Sequence, residues 1–287
     1  MKNKVYVIAG PTGSGKTELS IKLAKRINGC VINADASQFR KDLNIGTAKI
    51  TSTEMDGIDH YMIDIIDPIT NFSIYDFQEM GRKILNRELE KRNVIVVGGS
   101  GLYINALLFD YDLSTKKRDF DNHQYDEYTN EELYDLLDKL NHELALKTHP
   151  NNRNRVERYL EIAKSDSEPK KEPVLLYDAT IYCIDRERSE LYDRINRRVL
   201  KMMDEGWIDE VKGLREKGID LNKIKEIGYK EIGEYLDGLM TRDELIEKIS
   251  QKTRNYAKRQ MTWFRHKIDC KFISKINDEI IDVIVNI

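Results

Sequence analysis

Val5-Tyr6-Val7-Ile8-Ala9-Gly10-Pro11-Thr12-Gly13-Ser14-Gly15-Lys16-Thr17 is the stretch on which the fold turns. Its first five residues are continuously apolar, as in a strand buried on both faces. The next eight fit G-x-x-x-x-G-K-[ST], and an amphipathic run from Thr17 to Ile27 supplies the helix such a loop must enter. Glycines let the loop's N–H groups turn inward around phosphate oxygens, and the helix N-terminus adds partial positive charge. Thr12, Gly13, Ser14, Gly15, Lys16 and Thr17 are therefore the expected phosphate-binding residues. Lys16 is placed to reach a terminal phosphate and Thr17 to hold Mg²⁺, the expected cofactor, through its hydroxyl.

A phosphate loop does not name a reaction. An NTPase also wants a Walker-B Asp at the end of a buried strand. The run Val94–Val97 ends instead in Gly98-Gly99-Ser100-Gly101, and the other candidate, Tyr61 to Asp67, is closed abruptly by Pro68. A substrate carrying pyrophosphate but differing from ATP thus stays open beside ATP itself. Cys30–Ala34 reads as another strand and delivers Asp35 to its carboxyl end, where open α/β sheets place their chemistry. Ser73 and Asp76 form a capping box opening a helix to about Lys91, and Leu102–Leu108 reads as a short helix. This alternation predicts an α/β fold: a P-loop NTPase-like parallel sheet flanked by helices.

Past Asp110 the texture changes. Residues 111–130 are polar and without periodicity; Thr129 with Glu132 caps a helix predicted to reach Lys147, and another spans about 152–164. Ser165–Pro173 reads as a loop, Val174–Ile184 as a returning strand, and most of the chain from Arg188 onward as helix: Arg188–Asp204, Trp207–Lys217 and Thr241–Lys267. The expected organisation is a core over 1–110, a small inserted helical module over 111–147, and 148–287 completing the core with a helical C-terminal region.

With 47 Lys+Arg against 50 Asp+Glu, the net charge of −3 does not advertise a polyanion partner. No apolar run approaches the roughly 20 residues of a membrane span, and no leader precedes Val5, so a cytoplasmic protein is expected. Cys30, Cys183 and Cys270 are too scattered for a disulfide framework or zinc site. Yet from Lys248 to Lys271 eight basic residues face Asp269 alone. At about 100° per residue, Arg254, Lys258 and Arg265 share one helix face, and Ile249, Tyr256, Gln260 and Trp263 the opposite one. Arg155 and Arg158 repeat the pattern upstream. Such stripes are either solvated faces or contacts to a phosphate backbone. Tyr256 and Trp263 read as core rather than base-stacking groups.

These motifs, in order, resemble the tRNA dimethylallyltransferases (tRNA isopentenyltransferases) over nearly the whole chain. The resemblance rests on the loop at 10–17, Asp35-Ala36-Ser37-Gln38, Ile45-Gly46-Thr47-Ala48-Lys49, His60 to Pro68, Val97 to Tyr103, His149-Pro150-Asn151-Asn152 leading to Arg155 and Arg158, Ile227 to Glu231, and Thr253 to Trp263. It implies that the loop holds the pyrophosphate of dimethylallyl diphosphate, whose dimethylallyl group passes to the exocyclic amine of adenosine 37 beside the anticodon. Asp35, Ser100, Lys16 and Thr17 are then the catalytic residues, with Asp35 as general base or amine-orienting carboxylate. Asp35, Ala36, Ser37, Gln38 and Ser100 line the tRNA side. The inserted module over 111–147 contacts tRNA, and Asn154, Arg155 and Arg158 contact the anticodon stem-loop. Arg254 and Lys258 also contact tRNA, Arg254 touching either the pyrophosphate or an RNA phosphate. A monomer is expected. Ser100 stands where the family usually has Thr, and Arg40 and Asp42 replace a common Tyr and Gly. The rival readings are a P-loop small-molecule kinase, an isopentenyltransferase of free adenine nucleotides, and a non-catalytic RNA-binding protein.

Overall fold

The computed structural model describes residues 3–110, 124–164 and 173–286. Two compact units divide the chain: Met1–Leu113 with Val174–Ile287, and Ser114–Pro173.

In the first unit, β1 (Val5–Ala9) enters the phosphate loop and α1 (Lys16–Ile27), followed by β2 (Cys30–Asn33), the short α2 (Ser52–Met55) and β3 (His60–Tyr61). Next come α3 (Ile74–Leu89), β4 (Val94–Gly98) and α4 (Gly101–Leu108). The second unit holds α5 (Asn130–Leu140), α6 (His142–Ala145) and α7 (Arg153–Ala163). The chain returns with β5 (Ala179–Ile184), α8 (Arg188–Asp204), α9 (Trp207–Glu216), α10 (Tyr229–Leu236), α11 (Arg242–Lys267), β6 (Lys271–Ile273) and α12 (Asp278–Val285). The described strands form one parallel sheet in the order β3-β2-β4-β1-β5-β6. β1 lies between β4 and β5, and every residue of β1 and β2 is buried, which is why both read as unbroken apolar runs. One face of the sheet packs on Phe77, Leu85, Ile104 and Leu107 of α3 and α4 and on Met261 and Phe264 of α11. The other packs on Leu19 and Leu23 of α1 and on Ile281 and Ile284 of α12. A further cluster around Trp207, Tyr229 and Ile249 joins α8–α11 to the loop holding Leu43.

Since all strands run the same way, the loops after β1, β2, β4 and β5 leave from one edge. Three features of that edge are local. Gly15 precedes α1 at φ +98°, in the left-handed region that glycine enters without steric cost. Ser73 and Thr241 close the expected capping boxes of α3 and α11 with Asp76 and Glu244. Asp42, standing where the resembled family commonly has Gly, occupies φ +63° and pairs with Lys217 at 2.9 Å.

Several expectations are corrected. The candidate Walker-B strand is only His60–Tyr61, on the sheet edge beyond β2 and β4 from β1; Met62 and Asp64 then turn through positive φ, and Asp64 pairs with Lys49. The helix expected from Thr129 to Lys147 breaks at Asn141, whose side chain caps α6. The returning strand begins at Ala179 rather than Val174; Leu175 makes only an isolated bridge to Phe109. The second unit extends past 147 and includes α7, because Val156 and Leu160 pack with Leu133 and Leu137. Most of the loop predicted over 111–130, and that over 165–173, lie outside the described residues.

Candidate active site

A cavity of about 690 Å³ opens in the first unit. The phosphate loop contributes Thr12, Gly13, Gly15, Lys16 and Thr17; the segment after β2 contributes Asp35, Ala36, Ser37 and Gln38; the turn after β4 contributes Ser100. Residues distant in sequence thus share one space because their strands end on one edge. Ser14 is fully buried behind the loop rather than on the wall.

Asp35 ends the strand segment and caps a short turn. One carboxylate oxygen accepts from the Ser37 N–H at 3.2 Å and from its hydroxyl at 2.6 Å, while the Asp35 N–H donates to the Asn33 side chain at 3.0 Å. The carboxylate is thereby oriented with capacity left for another donor. The Gln38 amide donates to the Ala48 carbonyl at 3.3 Å, fixing the Gly46–Ala48 wall. Lys16 donates to the Pro11 carbonyl at 2.8 Å. Burial pushes its ammonium down to about 8, the charge of Asp35 opposing and that of Arg198 assisting.

Sequence reasoning missed the basic face of α8. Arg194 donates to the Gly13 carbonyl at 2.8 Å, Arg198 reaches the Thr12 hydroxyl at 3.4 Å, and Arg186, just ahead of α8, donates to the Ser14 carbonyl at 2.7 Å. Arg194, Arg197, Arg198 and Lys201 all line the cavity. Their i, i+3, i+4, i+7 spacing was a readable helical stripe. Burial pushes the Arg198 pKa down, opposed by Asp35. A space bordered by Lys16 and these cations, over a helix N-terminus, suits a multiply charged phosphate.

The C-terminal helix behaves differently from expectation. Its acids come from elsewhere in the fold: Lys248 pairs with Glu234, Lys252 with Glu231 and Arg265 with Asp185. Arg254 turns to Asn196 and Glu247 and does not line the cavity. Lys258 is exposed and borders a shallower hollow with Arg259, Trp263, His266 and Lys267. Tyr256, expected in the core, lines the main cavity, as does Arg259. Trp263 packs against Gly101, where a Cβ would lie 1.9 Å from its ring. Gln260 is buried and bonds the Thr12 N–H and the Gly99 carbonyl. In the second unit, Arg155 stacks on Tyr159 and Arg158 pairs with Glu161 at 2.8 Å; Asn154 lies on the same helix.

Among the described residues no cluster of three His, Cys, Asp or Glu could hold a metal. Thr17, an exposed residue on the cavity wall, offers a hard hydroxyl oxygen, which suits Mg²⁺ carried mainly by phosphate oxygens and water.

The sequence model of the IPP transferase family matches residues 38–267. A tRNA dimethylallyltransferase of Halalkalibacterium halodurans is 43% identical over 281 residues, covering 93% of this chain and 90% of the relative. One from Anoxybacillus flavithermus is 42% identical across 100% of this chain and 95% of its own. Among solved structures, a tRNA isopentenylpyrophosphate transferase from Bacillus halodurans superposes with TM-score 0.76 at 41% identity, covering 99% and 95% of the two chains. A eukaryotic dimethylallyltransferase acting on tRNA gives 0.85 at 30% identity, covering 99% of this chain and 77% of its own. With Asp35, Ser100 and the phosphate loop brought to one cavity, and with these matches over most of its length, the chain belongs to the IPP transferase family of tRNA dimethylallyltransferases.

Proposed function

We propose that the chain, acting as a monomer, transfers the dimethylallyl group of dimethylallyl diphosphate to the exocyclic amine of adenosine 37 in the tRNA anticodon loop, releasing pyrophosphate. The observation that carries this reading is the pairing, in one cavity, of an oriented carboxylate and hydroxyl (Asp35 and Ser100) with a many-cation phosphate cradle. A kinase needs a Walker-B carboxylate, and the candidate strand for it ends at Tyr61 on the far edge of the sheet.

An adenine amine is a weak nucleophile, its lone pair delocalised into the ring, so positioning outweighs prior deprotonation. The amine nitrogen forms its bond to C1 of the dimethylallyl group as the C1–O bond breaks and pyrophosphate departs. Asp35 orients the amine and takes its proton late in the step. Ser100 holds the amine or the base edge beside it. Lys16, the loop N–H groups and the arginines of α8 stabilise charge arriving on the leaving oxygens. Thr17 holds Mg²⁺, which when bound neutralises part of the diphosphate charge. Adenosine 37 must leave its stack to enter, as base-modifying enzymes require. Asn154, Arg155, Arg158 and Lys258, with the 111–147 segment, contact the anticodon stem-loop. Arg254, which also bonds Asn196 and Glu247, is a further tRNA contact on α11.

The test is pyrophosphate release from dimethylallyl diphosphate with Mg²⁺. Release that requires unmodified tRNA and is unchanged by ATP supports the reading. Release of phosphate from ATP, with dimethylallyl diphosphate left intact, contradicts it.

A further inference from the structure

We infer that Gln260 is a positioning residue that fixes the phosphate loop against the acceptor-side turn, and so sets how the two substrates meet. The inference rests on the reaction proposed above. Gln260 lies on α11 and is 6% exposed. Its two amide atoms bind different loops: Oε1 accepts from the Thr12 N–H at 2.9 Å, and Nε2 donates to the Gly99 carbonyl at 2.9 Å. Thr12 opens the wall that holds the diphosphate, and Gly99 precedes Ser100 on the acceptor side. β1 and β4 are in register up to Ala9 and Gly98. Beyond that point the sheet ladder ends, and one side chain spans the gap between the two loops.

The arrangement is specific to an amide. A glutamine offers one acceptor and one donor group at the same reach, whereas ionised glutamate has no donor and methionine offers only a weak sulfur acceptor. Gly99 is part of the same fit: a Cβ there would stand 2.3 Å from the Gln260 Nε2 and 3.3 Å from the Gly10 carbonyl oxygen. Tyr256, one turn earlier on α11, lines the cavity and interacts with Gln260, so the strut adjoins the site itself.

A displacement near 1 Å between reacting groups costs about 10²-fold in rate. When the amine is out of line, water becomes the competing nucleophile. The C1–O bond of dimethylallyl diphosphate still breaks to release pyrophosphate, the water oxygen bonds to the dimethylallyl carbon, and the products are dimethylallyl alcohol and a proton. Pyrophosphate released then exceeds prenylated adenosine formed.

The experiment uses the full chain, unmodified tRNA, Mg²⁺ and dimethylallyl diphosphate with Gln260→Glu, Gln260→Met and Gly99→Ala, measuring pyrophosphate and prenylated adenosine together. We expect kcat for prenyl transfer to fall roughly 10–100-fold, KM for dimethylallyl diphosphate to stay within about threefold, and the pyrophosphate-to-product ratio to rise above one. Gly99→Ala crowds the same amide from the opposite side, so it carries the test if the Gln260 variants do not fold. Folded variants that keep a one-to-one ratio, or that lose activity only through KM, overturn the inference while leaving the reaction intact. A parent enzyme that prenylates nothing overturns the reaction and the inference with it.

Discussion

Asp35 leaves β2 at the carboxyl edge of the sheet and is oriented there by hydrogen bonds with Ser37 and Asn33. Its Asp35→Ala variant is expected to lose prenyl transfer by at least about 10²-fold while tRNA affinity, measured by filter binding, changes only a few-fold. Undiminished turnover would remove Asp35 from the chemistry. Lys16 carries a pH prediction. Its ammonium, pressed to about 8 mainly by burial, is protonated below that value and loses its proton above it. Affinity for inorganic pyrophosphate, measured by calorimetry, should therefore weaken as pH rises through about 8. Its contribution to stability moves oppositely: between about 8 and the ordinary lysine value of 10.5 the unfolded chain binds more protons, so stability rises with pH there. Flat pyrophosphate affinity across roughly pH 7–9 would show that Lys16 does not serve the anion. Lys16, Thr17 and Asp35 were legible in the sequence because local strand–loop–helix patterns encode them. Gln260 was not, since its partners Thr12 and Gly99 lie in distant segments that only the sheet brings together.

At the scale of elements, α8 borders the phosphate loop, which its sequence did not announce, and part of the basic cluster on α11 is paired with acids. α11 has the denser basic cluster, yet Lys248, Lys252, Arg254 and Arg265 are all bound to acids, most of them from neighbouring elements. Charge counted along one helix cannot see acids contributed by α10 or by the loop after β5. α8, which read only as a helix, carries the arginines that border the phosphate loop. Lys258, Arg259, His266 and Lys267 border a hollow on α11 that offers the simplest test of the proposed RNA contact. Lys258→Gln with Lys267→Gln should weaken tRNA binding and flatten its salt dependence by roughly 0.7–0.9 in log K per log salt for each phosphate that is no longer neutralised. Equal salt slopes for variant and parent would make the patch a solvated face only.

The whole molecule follows from the parallel sheet. Buried apolar strands separated by helices made that class legible, and the shared direction of the strands explains why four loops meet at one edge. Short edge elements were the least legible: β6, of three residues, was not read at all, and β3, of two, was read as a longer strand over Tyr61 to Asp67. The extent of the second unit escaped for a similar reason, since α7 belongs to it through Val156 and Leu160, whose partners are apolar positions on α5. No described helix is long and apolar enough to cross a membrane. The reaction proposed for this cavity joins dimethylallyl diphosphate to an adenosine of tRNA. It is tested most directly by incubating the purified chain with unmodified tRNA, Mg²⁺ and dimethylallyl diphosphate, then digesting the RNA and weighing its nucleosides and anticodon-loop fragments. A dimethylallyl mass gain on adenosine 37, present without ATP, is the predicted result. No gain on tRNA, with a gain on free AMP or turnover of ATP instead, would rule that reaction out.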